Sequence, residues 1–163
     1  MKVTIHSWES IKELLESGFP ENTALIRFYD TELLLGKKFN FLLFHNMPNR
    51  IFQLPLMDID MDELKYYDFT YDTFFSEANK LAEFIYSAIS DGLDIICQCE
   101  YGQSRSAGCA AAILEYFEGN GISVFSDYRY FPNKIVYHKL LEALEKYVKE
   151  NNIKYTNIRR QKT

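Results

Sequence analysis

Five residues separate Cys99 from Arg105, and Ser106 follows at once, giving Cys-Glu-Tyr-Gly-Gln-Ser-Arg-Ser over 99–106. A sulfur nucleophile, a guanidinium whose planar fork suits phosphate oxygens and a hydroxyl therefore sit within eight residues. The apolar run before them, Leu93 to Gln98 (LDIICQ), reads as a short buried strand, and Ser106 to Glu118 reads as a helix. The loop between lies at a strand's C-terminal end and a helix's N-terminal end. Unpaired backbone N–H groups and the positive end of the helix dipole face such a loop, which makes it a place for a phosphate dianion. The same field favours a thiolate over a thiol. Gly102 lets the backbone curl closely around a ligand. Ala107, Gly108, Ala110, Ala111 and Ala112 leave the following helix nearly bare, so that it can lie close to a sheet.

The elements that must hold this loop follow from patterning. Lys2 to Ile5 reads as a short strand. Ser7 then caps a helix whose apolar positions are Ile11, Leu14 and Leu15 and which Gly18 and Pro20 close. Thr23 to Tyr29, Phe39 to Phe44 and Arg50 to Leu56 read as strands, with Pro55 ending the last or placing it at an edge. Tyr71 to Ser90 has a helical apolar face (Phe74, Ala78, Leu81, Ile85, Ile89), stopped by Asp91-Gly92. Gly119-Asn120-Gly121 stops the helix after the loop, and Asn133 to Lys149 is the last helix. Alternating strands and helices predict an α/β fold, a mostly parallel sheet flanked by helices. The 163 residues suit a single domain, 1–163, in which 151–163 is a tail or a terminal strand.

The Cys-x5-Arg-Ser string in this setting resembles the signature loop of the protein tyrosine phosphatase superfamily, dual-specificity branch. The similarity extends over about 23–148. Leu54-Pro55-Leu56-Met57-Asp58 looks like the family's strand leading to its general-acid loop. Phe74 to Ile89 looks like its long helix before the signature strand, and Phe131-Pro132-Asn133 resembles the element that opens its last helix. Small bacterial tyrosine phosphatase-like proteins have a similar PN-x-x-VY segment.

The resemblance implies a cysteine phosphatase fold and a two-step hydrolysis of phosphomonoesters, above all phosphotyrosine in proteins. Cys99 would be the nucleophile. Arg105 and the loop Glu100, Tyr101, Gly102, Gln103 and Ser104 would bind the phosphate, and Ser106 would assist thiolate departure. The general acid would be Asp58, which best matches the family's spacing from the Leu-Pro pair, with Asp60 next; Asp62 follows in the same acidic stretch. No cofactor or metal is implied, and phosphate, sulfate or vanadate should fit the loop. Gln98 stands where the family usually has His. That departure motivates an alternative, a pseudophosphatase that binds phosphate or phosphopeptide without turnover. A rhodanese-like sulfurtransferase ranks behind it.

Composition narrows the partners. A net charge of −5 and a pI near 5.2 argue against nucleic acid or an anionic membrane as the main partner. Neither a signal-type leader nor an apolar run of membrane length is visible, and a cytoplasmic location is expected. Cys97, Cys99 and Cys109 are no disulfide framework. Cys97 reads as a small core residue, or a trap for an oxidised Cys99, and Cys109 as packing. With His6, His45 and His138 at no ligand spacing, a zinc site is not expected. Asp58, Asp60 and Asp62 do not start a calcium loop, since Glu63 and Phe69 occupy its sixth and twelfth positions.

Overall fold

The computed structural model describes residues 1–30, 48 and 50–153. The strand expected at Phe39 to Phe44 and the segment beyond residue 153 lie outside the described residues. Among the described residues four strands, β1 (Val3–His6), β2 (Thr23–Tyr29), β3 (Ile51–Pro55) and β4 (Asp94–Gln98), form one sheet in the order β1-β4-β2-β3. Every pairing is parallel. Pro55 ends β3 at the sheet's edge, where its missing N–H disturbs no ladder.

Among the described residues five helices accompany them: α1 (Trp8–Ser17), α2 (Ala78–Ser90), α3 (Arg105–Glu118), the short α4 (Ile122–Phe125) and α5 (Lys134–Glu150). A 3-10 turn spans Leu64–Tyr67. Strand residues alternate between two cores, as the period of two demands. Leu25 and Ile96 pack with Trp8, Ile11 and Leu15 of α1. Ile26, Phe28, Leu54, Ile95, Cys97 and Cys99 face the larger core built with α2, α3 and α5. No helix among the described residues is long and apolar enough to cross a membrane.

Two caps behave as their residue types dictate. Ser7 Oγ accepts from the Ser10 N–H at 3.2 Å, and Asn133 Oδ1 accepts from the Val136 N–H at 3.0 Å. One expectation is corrected. The helix predicted from Tyr71 begins only at Ala78. Phe75 adopts a left-handed φ of 57°, which breaks the helical path. The carbonyls of Tyr71, Asp72 and Phe74 are instead taken by Lys139 Nζ, at 2.6, 3.1 and 2.5 Å. The ammonium of a lysine from another helix thus replaces the helix's own donors over this turn.

α3 packs tightly against the start of α5. A Cβ on Gly108 would lie 2.5 Å from the Asn133 carbonyl oxygen, so the start of α5 can touch α3 only where the side chain is missing.

Candidate active site

The C-terminal ends of β2, β3 and β4 converge on one crevice, the place where open parallel sheets present ligand sites. β4 delivers Cys99, and the turn that follows runs straight into α3 at Arg105. The strand, loop and helix expected from the sequence all occur in this order.

The first strand and helix hold the loop from one side. The Cys99 N–H points to the His6 carbonyl at 3.4 Å, and the Trp8 N–H donates to the Glu100 carbonyl at 3.0 Å. Gly102 has a φ of 67°, and a Cβ there would meet the Ser7 nitrogen at 2.5 Å. The loop can therefore rest on the β1–α1 junction only with glycine at this position. The segment before α5 holds it from the other side. The Phe131 N–H donates to the Gln103 carbonyl at 2.9 Å, and the Asn133 N–H to the Ser104 carbonyl at 3.1 Å.

Cys99 and Arg105 are each only 2% exposed. Cys99 Sγ lies 3.1 Å from Ser106 Oγ. Arg105 is held by its outer edge. Nη1 donates to Asp30 Oδ1 at 2.8 Å and to the Leu56 carbonyl, and Nη2 donates to Asp30 Oδ2 at 3.1 Å. Its Nε is buried without a hydrogen-bond acceptor, 3.9 Å from Asp58 Oδ2. Among the described residues, none of the amide N–H groups from Glu100 to Arg105 has a hydrogen-bond acceptor either. Unmade donors of this kind are costly in a folded chain unless a ligand or water completes them.

Asp58 is brought to the loop. Its Oδ1 accepts from Ser104 Oγ at 2.6 Å and from Asn133 Nδ2 at 3.1 Å, while Asn133 Nδ2 also reaches the Ile59 carbonyl at 3.0 Å. Asp60 is not brought there. It is exposed, and its backbone N–H is capped by Glu63 Oε2 at 2.7 Å. Tyr101 stands 77% exposed within the loop. Gln98 donates through Nε2 to the Cys99 carbonyl at 2.8 Å. An uncharged amide thus still pins the residue that bears the sulfur.

Sequence reasoning missed Asp30, and Asn133 was read only as the opening of a helix. Asp30 follows β2 in a string with no motif, and only the pairing of β2 with β4 brings it to Arg105. Asn133 has a signal in its cap position, but its second contact, to Asp58, needs the tertiary fold. The remaining thiols lie behind the site. Cys97 and Cys109 are fully buried with their sulfurs 3.6 Å apart. Burial first, and contact with Cys97 second, push the Cys109 thiol well above its ordinary range.

The whole architecture is similar to solved structures. It matches human tyrosine phosphatase-like serine/threonine/tyrosine-interacting protein at 19% identity, over 87% of this chain and 87% of that one, with a TM-score of 0.51. It matches the active form of Tk-PTP at 13% identity, over 88% and 90%, with a TM-score of 0.52. The chain has the protein tyrosine phosphatase fold. PTPMT1 in complex with PI(5)P shares that fold at 16% identity, over 92% and 94%, with a TM-score of 0.50. No family model matches the sequence, and no curated protein matches it. At these identities the phosphatase fold is what is shared, and the chemistry is argued from the side chains.

Proposed function

We propose that this chain is a cysteine-dependent phosphatase acting on phosphomonoesters, chiefly phosphotyrosine in proteins and also phosphoserine or phosphothreonine. One observation supports this reading above the others. A buried sulfur and a buried guanidinium whose Nε has no acceptor stand at the two ends of a loop whose amides have none. A tetrahedral oxyanion has the oxygens to satisfy these donors, and the charge that develops in phosphoryl transfer falls on those same oxygens.

In the first step the Cys99 thiolate attacks phosphorus in line. A P–S bond forms, the P–O bond to the leaving group breaks, and protonated Asp58 gives its proton to the departing oxygen. Asp58 is then a carboxylate. In the second step it takes a proton from water as the water oxygen attacks phosphorus. The P–S bond breaks, phosphate leaves, and the hydrogen bond from Ser106 Oγ supports the returning thiolate. Asp30 touches no reacting atom; it is a positioning residue for Arg105. Three free, buried cysteines fit a reducing compartment such as the cytosol.

The test is turnover of p-nitrophenyl phosphate by the wild type and by Cys99→Ser. Turnover that disappears in the variant supports the enzyme. Absence of turnover in the wild type, with phosphopeptide binding kept, would establish the pseudophosphatase that Gln98 motivates. Thiosulfate-to-cyanide transfer would favour the sulfurtransferase.

A further inference from the structure

We propose that the groove beside the phosphate loop is a subsite for a lysine or arginine side chain next to the phosphorylated residue of a protein substrate. This rests on the phosphatase reading above and adds a substrate class to it.

The groove has a volume of about 440 Å³, inside the range of roughly 300–1,000 Å³ typical of ligand pockets. Asp60, Met61 and Asp62 form one wall, and Phe131, Pro132 and Lys134 form the other. Both walls are tied to the phosphate loop. Phe131 donates its N–H to Gln103, and Asp58, two residues before Asp60, accepts from Ser104 Oγ. The groove therefore adjoins the phosphate loop, within reach of a residue next to a phosphorylated side chain seated there.

Two kinds of surface meet there. Phe131 is 73% exposed and Met61 53%, large apolar groups that the core does not use. Two carboxylates, Asp60 and Asp62, flank Met61, and among the described lining residues Lys134 is the one cation. Neither Asp60 nor Asp62 makes an ion pair with another described residue. A lysine or arginine matches both surfaces at once. Its methylene stem covers the ring and the thioether, and its cationic head meets the carboxylates. The same carboxylates would repel an anionic bilayer, so a protein substrate suits the groove better than a membrane lipid.

The experiment compares kcat/KM for two phosphotyrosine peptides that differ only in carrying Lys or Glu on either side of the phosphotyrosine. The wild type is expected to prefer the Lys peptide by about tenfold, equal to about 1.4 kcal/mol. Asp62→Lys, at an exposed position, is expected to abolish or invert that ratio. Equal use of the two peptides by a wild type that hydrolyses p-nitrophenyl phosphate overturns the subsite and leaves the phosphatase intact. So does better turnover of a phosphoinositide in phosphatidylserine vesicles than of either peptide. If p-nitrophenyl phosphate is not hydrolysed at all, the phosphatase reading fails. The subsite is then judged by fluorescence polarisation, with both labelled peptides binding to Cys99→Ser, and equal affinities reject it.

Discussion

Asn133 Nδ2 lies 3.1 Å from Asp58 Oδ1, while the Oδ1 of the same amide accepts from the Val136 N–H at 3.0 Å. One side chain starts α5 and fixes the loop that presents Asp58. Asn133→Ala should lose the cap, about 1 kcal/mol of stability, together with the hold on Asp58. Asn133→Asp should keep the cap but set a second carboxylate against Asp58. We expect its melting temperature to stay closer to wild type than that of Asn133→Ala, while kcat falls in both. Thermal melts beside steady-state kinetics check this, and an Asn133→Asp enzyme with wild-type kcat would refute the link.

Arg105 is 2% exposed and leans on Asp30 through two hydrogen bonds. Asp30→Ala leaves a buried guanidinium short of acceptors, at a cost of about 1–3 kcal/mol. It also frees Arg105 from its productive orientation, so inhibition by vanadate should weaken along with kcat/KM. Asp30→Glu should recover part of both, which a purely destabilising role would not require.

Gly102→Ala adds a Cβ 2.5 Å from the Ser7 nitrogen at a φ of 67°. Strain in that backbone region costs of order 1–3 kcal/mol. The loop must either lift from the β1–α1 junction or change conformation, and phosphate affinity should drop more than stability does. Titration with inorganic phosphate, followed by isothermal calorimetry, reads the first quantity, and chemical denaturation reads the second.

His6 is resistant to protonation in the fold, chiefly because it is partly buried and secondarily because Lys2 is near. Its folded pKa lies below the unfolded value of 6.5, so the unfolded chain binds the extra proton more readily on acidification. The stability His6 contributes is full above the unfolded value and is lost as pH falls through the folded one. Melting temperatures measured between about pH 7.5 and about pH 5 should fall less steeply for His6→Gln than for the wild type. Parallel curves would contradict this.

The strand, loop and helix around Cys99 were readable because the chemistry and its supports are contiguous. An apolar strand, a glycine turn and a small-residue helix occupy one stretch of sequence, and each obeys local rules. Ser7 was readable as a cap, and Asn133 as the opening of the last helix, for the same reason. Asp30 was not, since nothing local marks a carboxylate after β2 as the partner of a guanidinium 75 positions away. The true start of α2 was hidden likewise. The apolar period ran on through Phe74, but Lys139, from a different helix, claims the carbonyls of that turn. The strand order that seats β4 between β1 and β2 is a further tertiary fact with no local signal.

β1 joins β4 across most of a hundred residues, pairing Val3 with Ile95 and His6 with Gln98. Contacts of such high sequence separation pay their loop-closure entropy before they return any stability, so they form late in folding. The floor on which Gly102 rests belongs to that same pairing. A refolding chain should therefore regain its helical circular dichroism first and its capacity to capture oxyanions afterwards.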